Sequence, residues 1–273
     1  MLKEMLENVR KTSPLIHNIT NYVTVNDCAN ILLACGGAPI MSDEIEEVEE
    51  ITAICGGLNL NIGTLNSRTI PAMLRAGKKA NEQSHPVVLD PVGAGASALR
   101  TNTALKLLDE VQFTVIRGNI SEIKTLALGS GGTRGVDADV DDRVTRDNLE
   151  AAVCMAKDFA GKRNAVVAVT GAIDIVADRE TAYCIYNGHA NMSKITGTGC
   201  QLSAMVTAYV TANPESPLKA TAAAVCAMGL CGEIAEKRMT GSDGNASYRN
   251  YIIDAVCNLT PEQLERGARY EVR

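Results

Sequence analysis

The chain has 273 residues, a net charge of −6 and a hydrophobic fraction of 46% beside 21% charged residues, the balance of a globular protein long enough to bury a core without cross-links. Excess acid, no tryptophan and only two phenylalanines leave little to pair with a phosphate backbone or to stack on bases, which argues against a nucleic-acid partner. No apolar run is expected to reach membrane-spanning length, and nine cysteines placed singly, with no Cys-x-x-Cys pair, suggest neither a disulfide framework nor a thiolate metal site.

Residues 1–10 mix charges into an amphipathic helical pattern without the apolar centre of a signal peptide, so a cytoplasmic protein is expected. No repeat or linker stands out, and one domain covering 1–273 is the expected organisation. A strand over 14–20 leads to a helix over 21–35 that Gly36 and Gly37 end, then to a strand over 38–41. Ser42, Asp43 and Glu44 are placed to cap an acidic helix over 46–55, which Gly56 and Gly57 close before a strand over 58–62. A helix over 67–81, strands over 86–90, 113–116 and 165–169, and a helix opening at Asn119 continue the alternation. Runs over 173–177 and 181–186 with a charged turn between them read as an antiparallel hairpin at the sheet edge. Beyond Cys200, apolar and small residues over 202–209 and 218–235 read as helices. Short apolar strands alternating with longer helices imply βαβ units, hence an α/β fold with a mostly parallel sheet covered on both faces. Residues 128–142, rich in glycine and aspartate and without periodicity, read as a mobile surface loop. Their Asp-x-Asp-x-Asp part does not fit a calcium loop, whose sixth position would be Asp142 and twelfth Asn148.

Sheets of this kind place ligands beyond the C-terminal ends of their strands, which selects the loops at 18–23, 41–42, 61–64, 90–95, 117–119 and 170–171. Neither a P-loop nor a Gly-x-Gly-x-x-Gly after a strand occurs. The anion site is read instead at Gly197-Thr198-Gly199-Cys200, where bare backbone N–H groups open onto a helix N-terminus with the Cys200 thiol in its first turn. The alternative is a turn that only joins two elements, with Cys200 packed inward. Asn119 and Glu122 project from one helix face and Asp90 ends a neighbouring strand, and a carboxylate pair with an amide suits Mg²⁺. Taken alone, that Asn-x-x-Glu spacing is more often a structural capping pair. His17, His85 and His189 have no ligand spacing, and each is expected in a hydrogen-bonded structural role.

In that order, Asp-Pro-Val-Gly-Ala-Gly at 90–95, Asn-Ile-Ser-Glu at 119–122, Val-Thr-Gly at 169–171 and Gly-Thr-Gly-Cys at 197–200 resemble the ribokinase superfamily. Ser-Pro-Leu-Ile-His-Asn-Ile-Thr-Asn at 13–21, Leu-Asn-Ile-Gly-Thr-Leu at 60–65 and Arg-Gly-Asn at 117–119 extend the resemblance to the hydroxyethylthiazole kinase family, from about Ser13 to about Arg238. It implies a ribokinase-like fold without a lid, and ATP-dependent phosphorylation of the alcohol of 4-methyl-5-(2-hydroxyethyl)thiazole in thiamin biosynthesis or salvage. It further implies that Asn21, Val23, Met41 and Gly197 contact the thiazole, Arg117 and Thr170 the ATP, and Asp90 and Glu122 the Mg²⁺ and its water shell. Cys200 would stand where many superfamily kinases carry an aspartate base. The resemblance also implies a homotrimer with sites at subunit boundaries; residues 16–41 hold no hairpin that could act as a lid, so a neighbouring subunit is expected to exclude water. Two departures are Thr198, where alanine is usual, and the missing proline at 241–245.

Phosphoryl transfer through a loose transition state asks more for placement and charge stabilisation than for a strong base. That tolerates a cysteine, whose thiolate fraction the helix N-terminus and Mg²⁺ are expected to raise. The rival readings are a dehydratase of hydrated nicotinamide cofactors, which would typically end the 197–200 loop in aspartate, a hydroxymethylpyrimidine-type kinase, and a nucleotide-binding regulator without turnover.

Overall fold

The structure, a computed structural model, describes residues 1–129 and 144–273. The apolar segments condense into one sheet. Its parallel part consists of β1 (Leu15–Ile19), β2 (Ala38–Met41), β3 (Gly57–Asn61), β4 (Val87–Asp90), β5 (Val115–Asn119) and β6 (Val166–Thr170); β7 (Asp174–Ala177), β8 (Ala182–Ile185) and β9 (Tyr270–Val272) continue it antiparallel. The strand order is β2-β1-β3-β4-β5-β6-β7-β8-β9. The chain leaves β1 in one direction to reach β2 and returns past it to β3, so β1 is the switch point where a crevice opens beyond the strand ends.

Successive strand residues serve opposite faces. Val88, Val115, Val166 and Ala168 pack into a core with α1 (Leu2–Thr12), α2 (Val25–Cys35), α8 (Thr198–Ala212), α9 (Pro217–Arg238), α10 (Asn245–Asn258) and α11 (Pro261–Gly267). Val87, Leu89, Ile116, Val167 and Val169 pack into a second core with α3 (Val48–Ile54), α4 (Thr69–Glu82), α5 (Ala98–Glu110), α6 (Ile120–Leu128) and α7 (Leu149–Arg163). Two buried faces explain why the parallel strands read as continuous apolar runs rather than as alternating ones. The expected α/β architecture, a mostly parallel sheet between two helical layers, is present, and the β1-to-β2 connection is the helix α2 with no hairpin on it.

Several boundaries differ from the sequence reading, each for a physical reason. The helix expected from residue 21 begins at Val25, because the Asn21 side chain turns the chain by accepting from both the N–H and the hydroxyl of Thr24 at 3.1 Å. Strand β5 runs on through Arg117, Gly118 and Asn119, which pair with β6 and so are strand rather than loop. Ser42 does not cap α3; its hydroxyl donates to the Glu47 carboxylate, and no side chain caps that helix. The β7–β8 hairpin is not the sheet edge, since β9 pairs with β8. Helix α9 is long and apolar enough to cross a membrane, contrary to expectation, but 72% of its apolar window is buried, so its apolarity serves the core. The stretch read as a glycine- and aspartate-rich loop lies, apart from Leu128 and Gly129, outside the described residues. His17 has the structural role expected of it: buried, it bonds Thr52 Oγ1 and the Ser42 carbonyl, both at 2.9 Å, and burial lowers its pKa.

Candidate active site

The C-terminal ends of β1, β3, β4, β5 and β6 converge under the N-terminus of α8. Asp90 ends β4 and is fully buried. Its Oδ2 accepts from Asn61 Nδ2 and from Ser203 Oγ, each at 2.8 Å, and Arg117 Nη1 lies 3.3 Å away. Burial pushes the Asp90 carboxyl up, against the opposing pull of Arg117 and of the two hydrogen bonds. Arg117 reaches in from β5 and donates from Nη2 to Thr170 Oγ1 at 2.6 Å. Burial acts to lower the guanidinium pKa, but the Asp90 and Glu122 carboxylates outweigh it and hold Arg117 above its ordinary value. Its Nε is buried without a hydrogen-bond partner.

Glu122 occupies the first turn of α6, where the capping pair and the candidate metal ligand coincide. Asn119 Oδ1 accepts from Glu122 N, and Glu122 Oε2 accepts from Asn119 N, each at 2.8 Å. The other oxygen, Oε1, accepts from Gly93 N at 2.8 Å, which ties the loop after β4 to α6. Each carboxylate oxygen keeps a second lone pair. Burial first, and the nearby Asp90 charge second, push the Glu122 carboxyl up. Two buried carboxylates near each other on hard oxygen donors fit a divalent cation such as Mg²⁺. Among the described residues no group of three His, Cys, Asp or Glu could hold a metal ion by itself; a hard cation at Asp90 and Glu122 would take its remaining ligands from phosphate and water.

On the other side of Asp90 lies the thiol. Cys200, in the first turn of α8, accepts at Sγ from Asn21 Nδ2 at 3.2 Å and from Asn61 Nδ2 at 3.3 Å. Asn21 and Asn61 also bond each other at 3.0 Å, so one amide cluster spans the ends of β1 and β3. The expectation of an enlarged thiolate fraction is not met by the protein alone: burial, and then the Asp90 charge, raise the Cys200 pKa. Thr24, Arg117 and Asn61 oppose that shift without reversing it, and the neutral thiol is the resting form.

Gly197 and Gly199 are required here by close approach. Gly197 sits at φ 90° as the N-cap of α8, and a Cβ on it would lie 2.5 Å from Thr24 Cγ2. A Cβ on Gly199 would lie 2.5 Å from Arg117 Nη2, so the bare backbone lets the guanidinium lie against the turn. The other sequence-selected residues are at the same end of the sheet. Met41, the last residue of β2, is partly buried against the α8 side of the core. Val23 projects from the 21–24 turn and is 58% exposed.

A cavity of about 590 Å³ opens beside the turn, walled by Arg117, Thr170, Thr198 and Gly199 and floored by Leu202, Val225 and Met228. Asp174 also lines it. Half-buried by surface area, its carboxyl is nonetheless ringed by protein; desolvation pushes it up to about 7, although Gly171 N donates to it at 2.8 Å. Asp174 was not legible in the sequence as a site residue. Asn61 and Ser203 carried a signal: Asn61 opens the selected loop at 61–64 as the last residue of β3, and Ser203 lies three residues after Cys200 on the same helical face.

The sequence matches the model of the hydroxyethylthiazole kinase family over residues 6–262. It is 68% identical over 271 residues to a hydroxyethylthiazole kinase of Clostridium acetobutylicum, covering 99% of both chains. The structure resembles that of a hydroxyethylthiazole kinase protein from Pyrococcus horikoshii OT3, with a TM-score of 0.89 and 35% identity, covering 100% of this chain and 98% of the other. A Bacillus subtilis pyridoxal kinase, at 18% identity and a TM-score of 0.59 over 81% of this chain and 91% of its own, shares the fold. The chain belongs to the hydroxyethylthiazole kinase family.

Proposed function

We propose that the protein transfers the γ-phosphoryl group of ATP to the alcohol of 4-methyl-5-(2-hydroxyethyl)thiazole, a step of thiamin salvage. One observation carries the chemistry: the Gly197–Cys200 turn separates the cavity walled by Arg117 and Thr170 from the amide cluster of Asn21 and Asn61. A donor on one side and an acceptor on the other meet at the N-terminus of α8. The nucleotide occupies the cavity, with its phosphates toward Arg117 and Thr170 and its base over the apolar floor. The thiazole takes the side of Asn21, Val23, Met41 and Gly197.

The hydroxyl oxygen attacks the γ-phosphorus as the bond to the β–γ bridging oxygen breaks, and ADP leaves. Charge on the phosphoryl oxygens is met by the backbone N–H groups that open α8 and by the Arg117 guanidinium. The Cys200 sulfur, held by Asn21 and Asn61, orients the hydroxyl and, in its thiolate form, takes the proton late, as a loose transition state permits. Mg²⁺, bound with ATP, would be held by Asp90 and Glu122 and would neutralise phosphate charge. We further infer a homotrimer that closes the acceptor side, and a cytoplasmic location, for which nine free thiols are suited.

Purified protein given Mg-ATP and, separately, the thiazole alcohol, hydroxymethylpyrimidine and hydrated NADH is expected to form ADP with the first only. ADP formation with either of the others and none with the thiazole alcohol would overturn the assignment.

A further inference from the structure

Arg100 stands in an electrostatically unfavourable place. It lies in the first turn of α5, where the helix dipole disfavours a cation and no acidic residue offsets it. Among the described residues it forms no ion pair. Instead its guanidinium forks onto backbone carbonyls of two different loops, Nη2 donating to the Gly63 carbonyl at 2.8 Å and Nη1, at a longer 3.4 Å, to that of Val92. The guanidinium also lies against Gly93, which has φ 74° and where a Cβ would collide with it.

Each loop leads directly to the site. Gly93 N donates to Glu122 Oε1 at 2.8 Å. Gly63 N donates to Asn61 Oδ1 at 2.9 Å, and Asn61 in turn holds Asp90 and Cys200 through its Nδ2. We infer that Arg100 is a positioning residue for phosphoryl transfer: its fork joins the turn after β3 to the loop after β4 and so fixes Asn61 on the acceptor side relative to Glu122 on the phosphate side. The inference rests on the reading that Glu122 serves the metal and phosphates. A lysine preserves the charge but cannot span two carbonyls with a planar fork, so Arg100→Lys removes the geometry alone.

The test compares wild type, Arg100→Lys, Arg100→Gln, Glu122→Gln and the Arg100→Lys/Glu122→Gln double variant. The measurements are steady-state kinetics, the Mg²⁺ midpoint of Mg-ATP binding by calorimetry, hydrogen exchange of peptides covering 61–65 and 91–96, and thermal unfolding. For Arg100→Lys, kcat is expected to fall about tenfold while KM for the thiazole alcohol moves by less than about twofold. Both loop peptides should exchange faster with the thermal midpoint little changed, and Arg100→Gln should show the same split if the lysine variant folds poorly. Because Arg100 acts through Glu122, the double variant should fall little below Glu122→Gln alone. Losses that multiply in the double variant, or wild-type kcat and loop exchange in Arg100→Lys, would overturn the inference while leaving Glu122 its role. A wild-type Mg²⁺ midpoint and kcat in Glu122→Gln would overturn the metal reading, and the inference with it.

Discussion

The surroundings of residue 200 define which side chains can work there. Burial and the Asp90 charge keep the thiol protonated at neutral pH, while Asn21 and Asn61 point two N–H donors at it. A carboxylate in the same place would receive those donors as stronger, charge-assisted bonds, and Asp90 beside it would raise its pKa toward the range that suits a base. Cys200→Ala is therefore expected to lower kcat by about 10- to 100-fold, the smaller end of acid–base effects. Cys200→Asp should keep or raise kcat, and it should flatten the alkaline rise expected of wild type, whose raised thiol pKa makes the thiolate fraction grow with pH. Loss of all turnover in Cys200→Asp with ATP binding intact would sink this reading. Asp174 gives a second prediction, on stability. With its carboxyl raised to about 7, the folded chain keeps a proton that the unfolded chain releases near pH 4, the ordinary aspartate range. Between these two values the folded state binds more protons, so its stability falls as pH rises. Asp174→Asn, which can still accept from Gly171 N, should reduce that slope in urea unfolding between pH 5 and pH 7.5. An unchanged slope would show that another group carries it.

At the scale of elements, the start of α8 and the end of β5 act as one unit, because Arg117 lies against Gly199. Two effects compete in Gly199→Ala. Alanine gains up to about 1 kcal/mol of helix propensity over glycine. Displacing Arg117, however, leaves Asp90 buried without its partner, and breaking such a pair costs about 3–5 kcal/mol. The second effect wins, so Gly199→Ala should lower the melting temperature and raise KM for ATP by about tenfold or more. Gly241→Ala, with open space around it, serves as the control and should change neither. A stabilised Gly199→Ala with normal ATP affinity would show that Arg117 can move aside freely. The same elements show what the sequence could reveal. The strand interiors were legible because burial on both faces demands apolar runs, and the site loops because their polar residues directly follow those runs. The boundaries at 21–24 and 117–119 were not, since the Asn21 side chain takes over the first turn through Thr24 and backbone pairing with β6 carries the strand through Asn119. Strand β9 is three exposed residues with a glutamate at its centre, and only its pairing with β8 makes it a strand. Arg100 carried no signal in the sequence, because its two carbonyl partners lie 37 and 8 residues away along the chain.

For the whole molecule, the acceptor side carries apolar surface that a single chain leaves exposed. Asn21 is buried in the amide cluster, yet Tyr22 and Val23 beside it are 77% and 58% exposed. Burying a side chain such as valine or leucine contributes about 1.5–3 kcal/mol, so a partner surface laid over this turn gains stability and also keeps water from the transferring phosphoryl group. The exposed turn and the absence of a hairpin on the β1-to-β2 connection are the grounds for the proposed homotrimer. Light scattering coupled to gel filtration should give a mass three times that of the 28.9 kDa chain. Val23→Asp would place a charge in that contact without touching Arg117, Thr170 or the cavity they wall. It should shift the mass toward the monomer and raise KM for the thiazole alcohol by about tenfold while KM for ATP stays within about twofold. A wild-type chain that is monomeric and fully active would remove the need for a covering subunit. A trimeric Val23→Asp with normal acceptor affinity would place the boundary elsewhere.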